Sequence, residues 1–104
     1  MIVVLGCGGQ TAEDQCVTTY HTVCQKIFDC DPDGGAGVWE TETNCETVEN
    51  SAVGCSTTPP CHGRGSFNSA NATACATNYT NASCFQILEN QLDVTPCSKL
   101  CVSP

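Results

Sequence analysis

Acidic side chains alternate along one short segment of the chain. Asp29, Asp31 and Asp33 occupy every second position, and Glu40 follows after a glycine-rich stretch. A calcium ion takes about six to eight hard oxygen ligands at flexible spacing, and alternate side chains of one loop can converge on it. These residues therefore predict a calcium site that belongs to a single loop.

The segment from Asp29 to Glu40 resembles the calcium loop of an EF-hand, because it fits the pattern D-x-D-x-[DN]-G-x5-E at every required position. The resemblance implies that Gly34 forms the sharp turn and that Gly37 contacts the ion through water. The ligands that it implies are the side chains of Asp29, Asp31 and Asp33, the carbonyl of Gly35 and both carboxylate oxygens of Glu40. Calcium is the one cofactor that the sequence suggests.

The same residues are also compatible with a simple turn. Pro32 fixes its own φ at about −65°, and Ala36 stands where EF-hands prefer a branched apolar residue. Asp, Pro and Gly commonly end a helix and reverse the chain. A helix-breaking turn and a calcium loop therefore remain alternative interpretations of this segment.

Cysteine dominates the composition, with 11 residues in 104. Leu, Ile, Val and Phe together make up less than one residue in five, which is too little for a self-sufficient apolar core. Disulfides stabilise such a chain by about 2–4 kcal/mol each, and they persist only in oxidising compartments. We therefore predict an extracytoplasmic, disulfide-stapled domain. The cysteines predicted to form bridges are Cys16, Cys24, Cys30, Cys45, Cys55, Cys61, Cys75, Cys84, Cys97 and Cys101.

The N-terminal residues place an apolar run before a cysteine. Val4-Leu5-Gly6-Cys7 resembles the lipobox of bacterial lipoproteins, in which the thiol that follows a small residue is acylated. The run has no basic residue before it and is shorter than the apolar region of a signal peptide. An odd number of cysteines cannot all pair within one chain, and lipid on Cys7 would leave an even number. The alternative is that Cys7 forms a bridge and another thiol is free or forms an intermolecular bond.

The charge of the chain restricts its partners. Three basic residues stand against 11 acidic ones, and the formal net charge is −8. Such a chain repels nucleic acid and anionic lipid surfaces, so neither is an expected direct partner. No apolar stretch approaches the length of a transmembrane helix. The expected partners are a membrane reached through the lipid anchor, an unidentified protein or surface, and further copies of the chain.

Hydrophobic periodicity predicts four short helices, over residues 12–28, 40–53, 69–79 and 84–91. Thr11 is the expected N-cap of the first helix, and Ser83 is the expected N-cap of the fourth. Gly54 is the expected stop signal of the second helix. The inward face of the second helix is predicted to carry Cys45, Val48, Ala52 and Cys55.

These helices are predicted to form two helical hairpins joined by long loops. In an antiparallel hairpin, the first cysteine of one helix meets the last cysteine of the other. On that basis Cys16–Cys55 and Cys24–Cys45 are candidate bridges. Hundreds of other connectivities of ten cysteines remain open.

The cysteine spacing resembles that of small cysteine-rich lipoproteins of myxobacteria and their relatives. The matching stretches are Cys16-x7-Cys24-x5-Cys30, Cys45-x9-Cys55, Ala74-Cys75-Ala76 through Ser83-Cys84 with Ile87-Leu88, and Pro96-Cys97. The resemblance covers about residues 7–101. It implies a helical surface lipoprotein and implies no activity.

The predicted fold class is mostly α, a small disulfide-stapled bundle of about four short helices. Residues 1–10 form a lipobox-like N-terminal segment, residues 11–101 form one disulfide-rich helical domain, and residues 102–104 form a tail.

Residues suited to catalysis are few. His21 and His62 are the histidines of the chain, and histidine is the usual near-neutral base. The Cys61-His62 pair lies in a Pro/Gly-rich loop without a third metal ligand nearby, and no C-x-x-C pair occurs. Cys97 and Cys101 are expected to make structural bridges. The sequence therefore predicts a protein that is not an enzyme, and its cysteine spacing does not favour a zinc or haem site.

Three N-x-[ST] sequons crowd one segment, at Asn71, Asn78 and Asn81. In a eukaryotic secreted protein they would be glycan acceptors on the surface. In a bacterium they would be a by-product of a helical edge rich in Asn, Thr, Ser and Ala. The sequons do not decide between a eukaryotic and a bacterial origin of the protein.

These observations favour a non-catalytic structural or interaction module, anchored by lipid on Cys7 at an outer membrane or cell surface. One alternative is a calcium-stabilised binding module that uses the loop from Asp29 to Glu40. Another is a secreted, glycosylated, disulfide-rich peptide of inhibitor or toxin type. Trp39 and Phe67 are candidate contact residues, and each is equally compatible with a place in the core.

Overall fold

A computed structural model describes residues 11–33, 39–55, 60–61 and 65–102. These residues form four α-helices, one 3-10 helix and two short strands, so the protein is mostly helical, as predicted. In chain order the elements are α1 (Ala12–Cys30), α2 (Glu42–Val53), β1 (Ser66–Phe67), α3 (Ser69–Asn81), α4 (Cys84–Leu88), the 3-10 helix (Pro96–Lys99) and β2 (Cys101–Val102).

The cap of α1 sets the start of the helix on which the other elements pack. The Thr11 hydroxyl accepts a hydrogen bond from the Asp14 amide at 3.1 Å, and Asp14 adds negative charge at the positive end of the helix dipole. The helix continues to Cys30, two residues further than predicted. It does so because the Asp31 amide still donates to the Ile27 carbonyl.

The second helix begins two residues later than predicted. The Thr41 hydroxyl accepts a hydrogen bond from the Asn44 amide at 3.0 Å, so Thr41 is the N-cap and Glu42 is the first helical residue. The predicted start at Glu40 is therefore wrong. Side-chain capping by Thr41 decides the boundary, and Glu40 lies before the helix.

The end of α2 follows the prediction, but its buried face does not. Gly54 takes the left-handed conformation with φ 79°, which favours glycine and ends the helix. Cys55 comes after this turn, so it does not mark the face of the helix. Val48, predicted to point inward, is 43% exposed, while Glu49 and Val53 are half-buried. The observed inward face of α2 therefore lies about one residue away from the predicted inward face.

Local side-chain bonds also define the last two helices. Asn68 caps α3, because its side-chain oxygen accepts from the Asn71 amide at 2.7 Å. Ser83 and Gln86 form a reciprocal capping box at the start of α4. Asn90 takes a left-handed φ of 55°, which stops α4 at Leu88 and short of the predicted residue 91.

The helices pack around α1. Helices α2 and α3 both lie against it, and the 3-10 helix packs on α3. The first predicted hairpin, formed by α1 and α2, is present. The second predicted hairpin is replaced by other packing, since α3 lies chiefly against α1 and the 3-10 helix and α4 contacts α1. In the part of the chain that the structure describes, no helix is both long and apolar enough to cross a membrane.

Five disulfides join these elements, and they use all ten cysteines predicted to form bridges. Both candidate bridges of the first hairpin are present. The pairs are Cys16–Cys55, Cys24–Cys45, Cys30–Cys84, Cys61–Cys101 and Cys75–Cys97. Cys30–Cys84 joins α1 to α4, and Cys61–Cys101 and Cys75–Cys97 join the C-terminal segment to earlier parts of the chain.

The core lies between α1, α3 and the C-terminal segment. Its buried residues include few long apolar side chains, among which Leu100 is 1% exposed. The buried members of the core are Cys16, Tyr20, Val23, Cys55, Ala72, Cys75 and Leu100. Disulfide sulfur fills much of the interior, as expected for a chain poor in aliphatic residues.

A small antiparallel sheet closes the C-terminal end. Ser66 faces Val102 and Phe67 faces Cys101, and the Asn68 amide donates to the Leu100 carbonyl at 2.7 Å. Phe67 packs against the core. Val102, which the sequence placed in a tail, is paired in this sheet.

Candidate functional site

An aromatic groove crosses the surface where α1, α2 and α3 meet the segment before the 3-10 helix. Two adjoining cavities of about 420 and 350 Å³ form it. They share Ile27, Trp39, Tyr79 and Val94, and these four residues define the groove. Cavities of this size lined by apolar and aromatic side chains are typical of ligand sites.

The elements that carry the groove are fixed by covalent and hydrogen bonds. Cys75 on α3 is bonded to Cys97, and the Asn78 side-chain amide donates to the Asp93 carbonyl at 3.1 Å. These two links hold the strip that contains Val94 against α3. The groove is therefore preformed on its C-terminal side, which lowers the entropy cost of binding.

One carboxylate lines the groove among apolar groups. Glu49 extends from α2 into the wall beside Tyr20 and Tyr79. Burial raises the pKa of Glu49, because removal of water disfavours the charged form. Within the described residues, no cationic side chain forms a salt bridge with Glu49.

The two tyrosines respond to the same environment. Burial raises the pKa of Tyr20 to about 12, and the nearby Glu49 and Tyr79 add smaller effects in the same direction. Burial, followed by the charge of Glu49, also raises the pKa of Tyr79. Both phenols are therefore protonated at neutral pH. The groove offers stacking surface, apolar contact and one half-buried acid.

The predicted calcium residues lie at the two ends of a segment that is only partly described. Asp29 is exposed in the last turn of α1, and the Asp31 carboxylate accepts from the Asp33 amide at 3.1 Å, as in an Asx turn. Glu40 is exposed, and its amide donates to the Asn44 side chain at 3.4 Å. Gly34, Gly35 and Gly37 lie outside the described residues. The calcium site stays a prediction.

The other residues singled out in the sequence have different outcomes. Cys7 and His62 lie outside the described residues. Trp39, a candidate contact residue, is half-buried in the groove.

Two of the three sequons take part in tertiary hydrogen bonds. The side-chain amide of Asn71 donates to the Lys99 carbonyl at 2.8 Å, and that of Asn78 donates to the Asp93 carbonyl. Asn81, at the end of α3, is exposed. The side-chain amides of Asn71 and Asn78 are therefore engaged in hydrogen bonds within the fold, while Asn81 is exposed to solvent.

Sequence reasoning missed two groups of residues. Glu49 is not on the predicted inward face of α2, which lies one residue away, and a carboxylate carries no apolar signal. A second group, formed by His21, Glu42 and Glu46, brings three metal-ligating side chains together from two helices. The i, i+4 spacing of Glu42 and Glu46 is visible in the sequence, and the candidate Cys24–Cys45 bridge brings their helix close to His21. The sequence does not show that the three side chains share one face of the hairpin.

Comparisons of the chain with protein-family models, curated proteins and solved structures gave no significant match. The five disulfides themselves define the class. The chain is a small, disulfide-stapled helical protein of an oxidising, extracytoplasmic compartment.

Proposed function

We propose that the protein is a non-catalytic interaction module, held at a membrane surface by lipid on Cys7. In this function the aromatic groove receives a segment of a partner protein that carries an apolar side chain next to a basic one. The anchor and the groove are separate parts of the proposal, and each has its own test.

The disulfide pairing supports the anchor. The chain has 11 cysteines, and ten of them are bonded to one another. No cysteine of the chain is left to pair with Cys7. Its thiol is therefore available for acylation, in agreement with the lipobox-like residues before it. This is the observation that carries the proposal.

The chemistry of the groove supports binding rather than catalysis. The titratable side chains there are two tyrosines with raised pKa values and a carboxylate whose pKa is also raised. At neutral pH the phenols hold their protons and are poor bases. No nucleophile paired with a base lines these two cavities.

Charge complementarity favours a basic partner. The chain carries a net charge of −8, and half-buried Glu49 has no cationic partner among the described residues. A lysine or arginine placed beside Glu49 would stabilise its ionised form. The apolar neighbour of that basic side chain would fill the space between Ile27, Trp39 and Tyr79.

The anchor is tested by the intact mass of the natively isolated protein, before and after reduction and alkylation. We expect a chain that begins at Cys7 with added acyl mass, and ten thiols that become alkylated only after reduction. Retention of residues 1–6 on the native protein, or alkylation of Cys7 without reduction, would overturn lipidation.

The groove is tested by selecting peptides from a random phage-displayed library. The selected peptides should pair an apolar residue with a basic one and change the fluorescence of Trp39, the single tryptophan of the chain. Ile87 lines the groove, so Ile87→Ala should lower the affinity of the selected peptides. Phe85→Ala is the matched control, because Phe85 lies on the same helix and is 61% exposed. Peptides that bind without affecting Trp39 and tolerate Ile87→Ala would contradict the proposed site.

A further inference from the structure

Three side chains that can bind a metal ion meet on the surface of the α1–α2 hairpin. Each of His21, Glu42 and Glu46 offers one ligand atom, and these atoms all lie within 4.8 Å of one another. The His21 Nδ1 and the Glu46 Oε2 are 3.2 Å apart. In the part of the chain that the structure describes, no other group of this kind is found.

A disulfide holds the two helices of this cluster together. His21 stands one turn before Cys24 on α1, and Glu42 and Glu46 flank Cys45 on α2. Cys24 and Cys45 are bonded, with their Cα atoms 5.9 Å apart. The backbone that presents the three ligands is thus fixed before any ion binds, so binding need not order the chain.

The donor set suits zinc better than calcium. One imidazole nitrogen and two carboxylate oxygens are ligands that zinc accepts, whereas calcium prefers oxygen alone. With zinc–ligand distances near 2.1 Å, two ligands of a tetrahedral site are about 3.4 Å apart. The 3.2 Å between His21 and Glu46 is close to that edge. The ligand atom of Glu42 lies within 4.8 Å of both of these atoms.

Electrostatics also favour a cation at this place. Glu42 and Glu46 are one helical turn apart, where two negative charges destabilise a helix. The side chain of His21 beside them is 53% exposed, so an ion from solvent can reach the cluster. A divalent ion bound to both carboxylates would remove this repulsion, in a chain whose net charge is already −8.

We propose that His21, Glu42 and Glu46 form a zinc-binding site that clamps α1 to α2. Three protein ligands leave a tetrahedral ion with one position for water or for a donor from another molecule. The site is distinct from the loop between Asp29 and Glu40, which offers oxygen ligands and belongs to a different stretch of the chain.

The proposal is tested by titrating zinc into the disulfide-bonded protein with Cys7→Ser, which removes the competing thiol. Calorimetry should give one zinc ion per chain, and the imidazole NMR signals of His21 should shift while those of His62 do not. His21→Ala should weaken zinc binding at least tenfold, since loss of even an outer-shell partner costs about 10–100-fold.

Two further variants separate the site from other sources of binding. The double variant Glu42→Gln with Glu46→Gln keeps the size of both side chains. It should also lower the zinc affinity at least about tenfold. Asp33→Asn removes a carboxylate of the neighbouring loop and should leave the affinity unchanged. The melting temperature without metal checks that each variant is folded. Equal zinc affinity of His21→Ala and its parent, or unshifted His21 signals, would overturn the proposal.

Discussion

The side-chain amide of Asn71 on α3 donates a 2.8 Å hydrogen bond to the backbone carbonyl of Lys99 in the 3-10 helix. Two turns further along the same helix, Asn78 makes the equivalent bond to the Asp93 carbonyl. The disulfide between Cys75 and Cys97 lies between them. One face of α3 therefore binds the C-terminal segment through two amides and one covalent bridge, and this segment forms a wall of the aromatic groove.

This arrangement predicts unequal use of the three sequons. A glycan is attached to the side-chain amide nitrogen, which is the atom that Asn71 and Asn78 use in their hydrogen bonds. Exposed Asn81 is free of that competition. When the chain is secreted from a eukaryotic host, we expect Asn81 to be occupied most. Glycopeptide mass spectrometry measures the occupancy, and Asn81→Gln is the control. Higher occupancy of Asn71 than of Asn81 would contradict the prediction.

Leu100 is predicted to be the most sensitive aliphatic position. It is 1% exposed in a core that has few other large apolar side chains. Leu100→Ala should lower the free energy of unfolding by about 2–5 kcal/mol, because it leaves a cavity. Leu88→Ala is the matched control, since Leu88 is 53% exposed and should cost less than about 0.5 kcal/mol. Urea denaturation of the oxidised proteins measures both, and equal losses would show that Leu100 is not a core residue.

Tyr20 and Tyr79 should ionise at a higher pH than free tyrosine does. Because the folded pKa of Tyr20 is about 12 and its ordinary value is 10.0, its contribution to stability is present below pH 10 and is lost as the pH rises towards 12. Burial raises the pKa of Tyr79 in the same direction. Ultraviolet absorbance should show little tyrosinate at pH 10, and later ionisation should coincide with unfolding seen by circular dichroism.

The urea-unfolded chain is the control for this titration, and it should ionise near pH 10. Tyr20 and Tyr79 are the two tyrosines of the chain, so the signal has no other tyrosine source. A full absorbance change near pH 10 in the folded protein would show that neither phenol is buried.

Glu49 should make stability fall with rising pH. Burial raises its folded pKa above the ordinary 4.5, so the folded state binds more protons than the unfolded state between these two values. Stability is therefore lost as the pH rises through that window. Glu49→Gln should be more stable than the parent at neutral pH, and the difference should disappear below pH 4.5. Thermal unfolding across this range measures it.

The matched control for this variant is Glu89→Gln, which changes an exposed carboxylate on the C-terminal side of α4. Glu89 does not line the groove, so this exchange should give less stabilisation at neutral pH than Glu49→Gln. If Glu49→Gln were less stable than the parent at neutral pH, an attractive partner of Glu49 would have to exist.

The loop from Asp29 to Glu40 gives a prediction about calcium. A single loop of this kind should bind in the range of about 10⁻⁴–10⁻³ M, so calcium at about 10 mM should raise the melting temperature. Asp29→Ala should abolish the rise, because it removes a ligand at the end of α1. No change in melting temperature for the parent at this concentration would favour the helix-breaking turn.

The sequence by itself determined the local structure and the compartment. Thr11 and Ser83 cap the helices that they were expected to cap, and Gly54 ends α2, because these signals depend on hydrogen bonds within one or two turns. The density of cysteines indicated a disulfide-stapled domain. The Cys16–Cys55 and Cys24–Cys45 bridges could also be foreseen, since consecutive antiparallel helices bring nearby segments together.

Only the tertiary structure decided how distant segments meet. The pairing of Cys30 with Cys84 depends on which helix packs beside the end of α1. The contact of His21 with Glu46 depends on which faces of α1 and α2 meet, and both are properties of the whole packed chain. The same packing decides which face of α2 points inward, and therefore that Glu49 lines the groove. Hydrophobic patterning is weak here, because cysteine fills positions that aliphatic residues occupy elsewhere. Disulfides and backbone hydrogen bonds therefore fix arrangements that periodicity cannot encode.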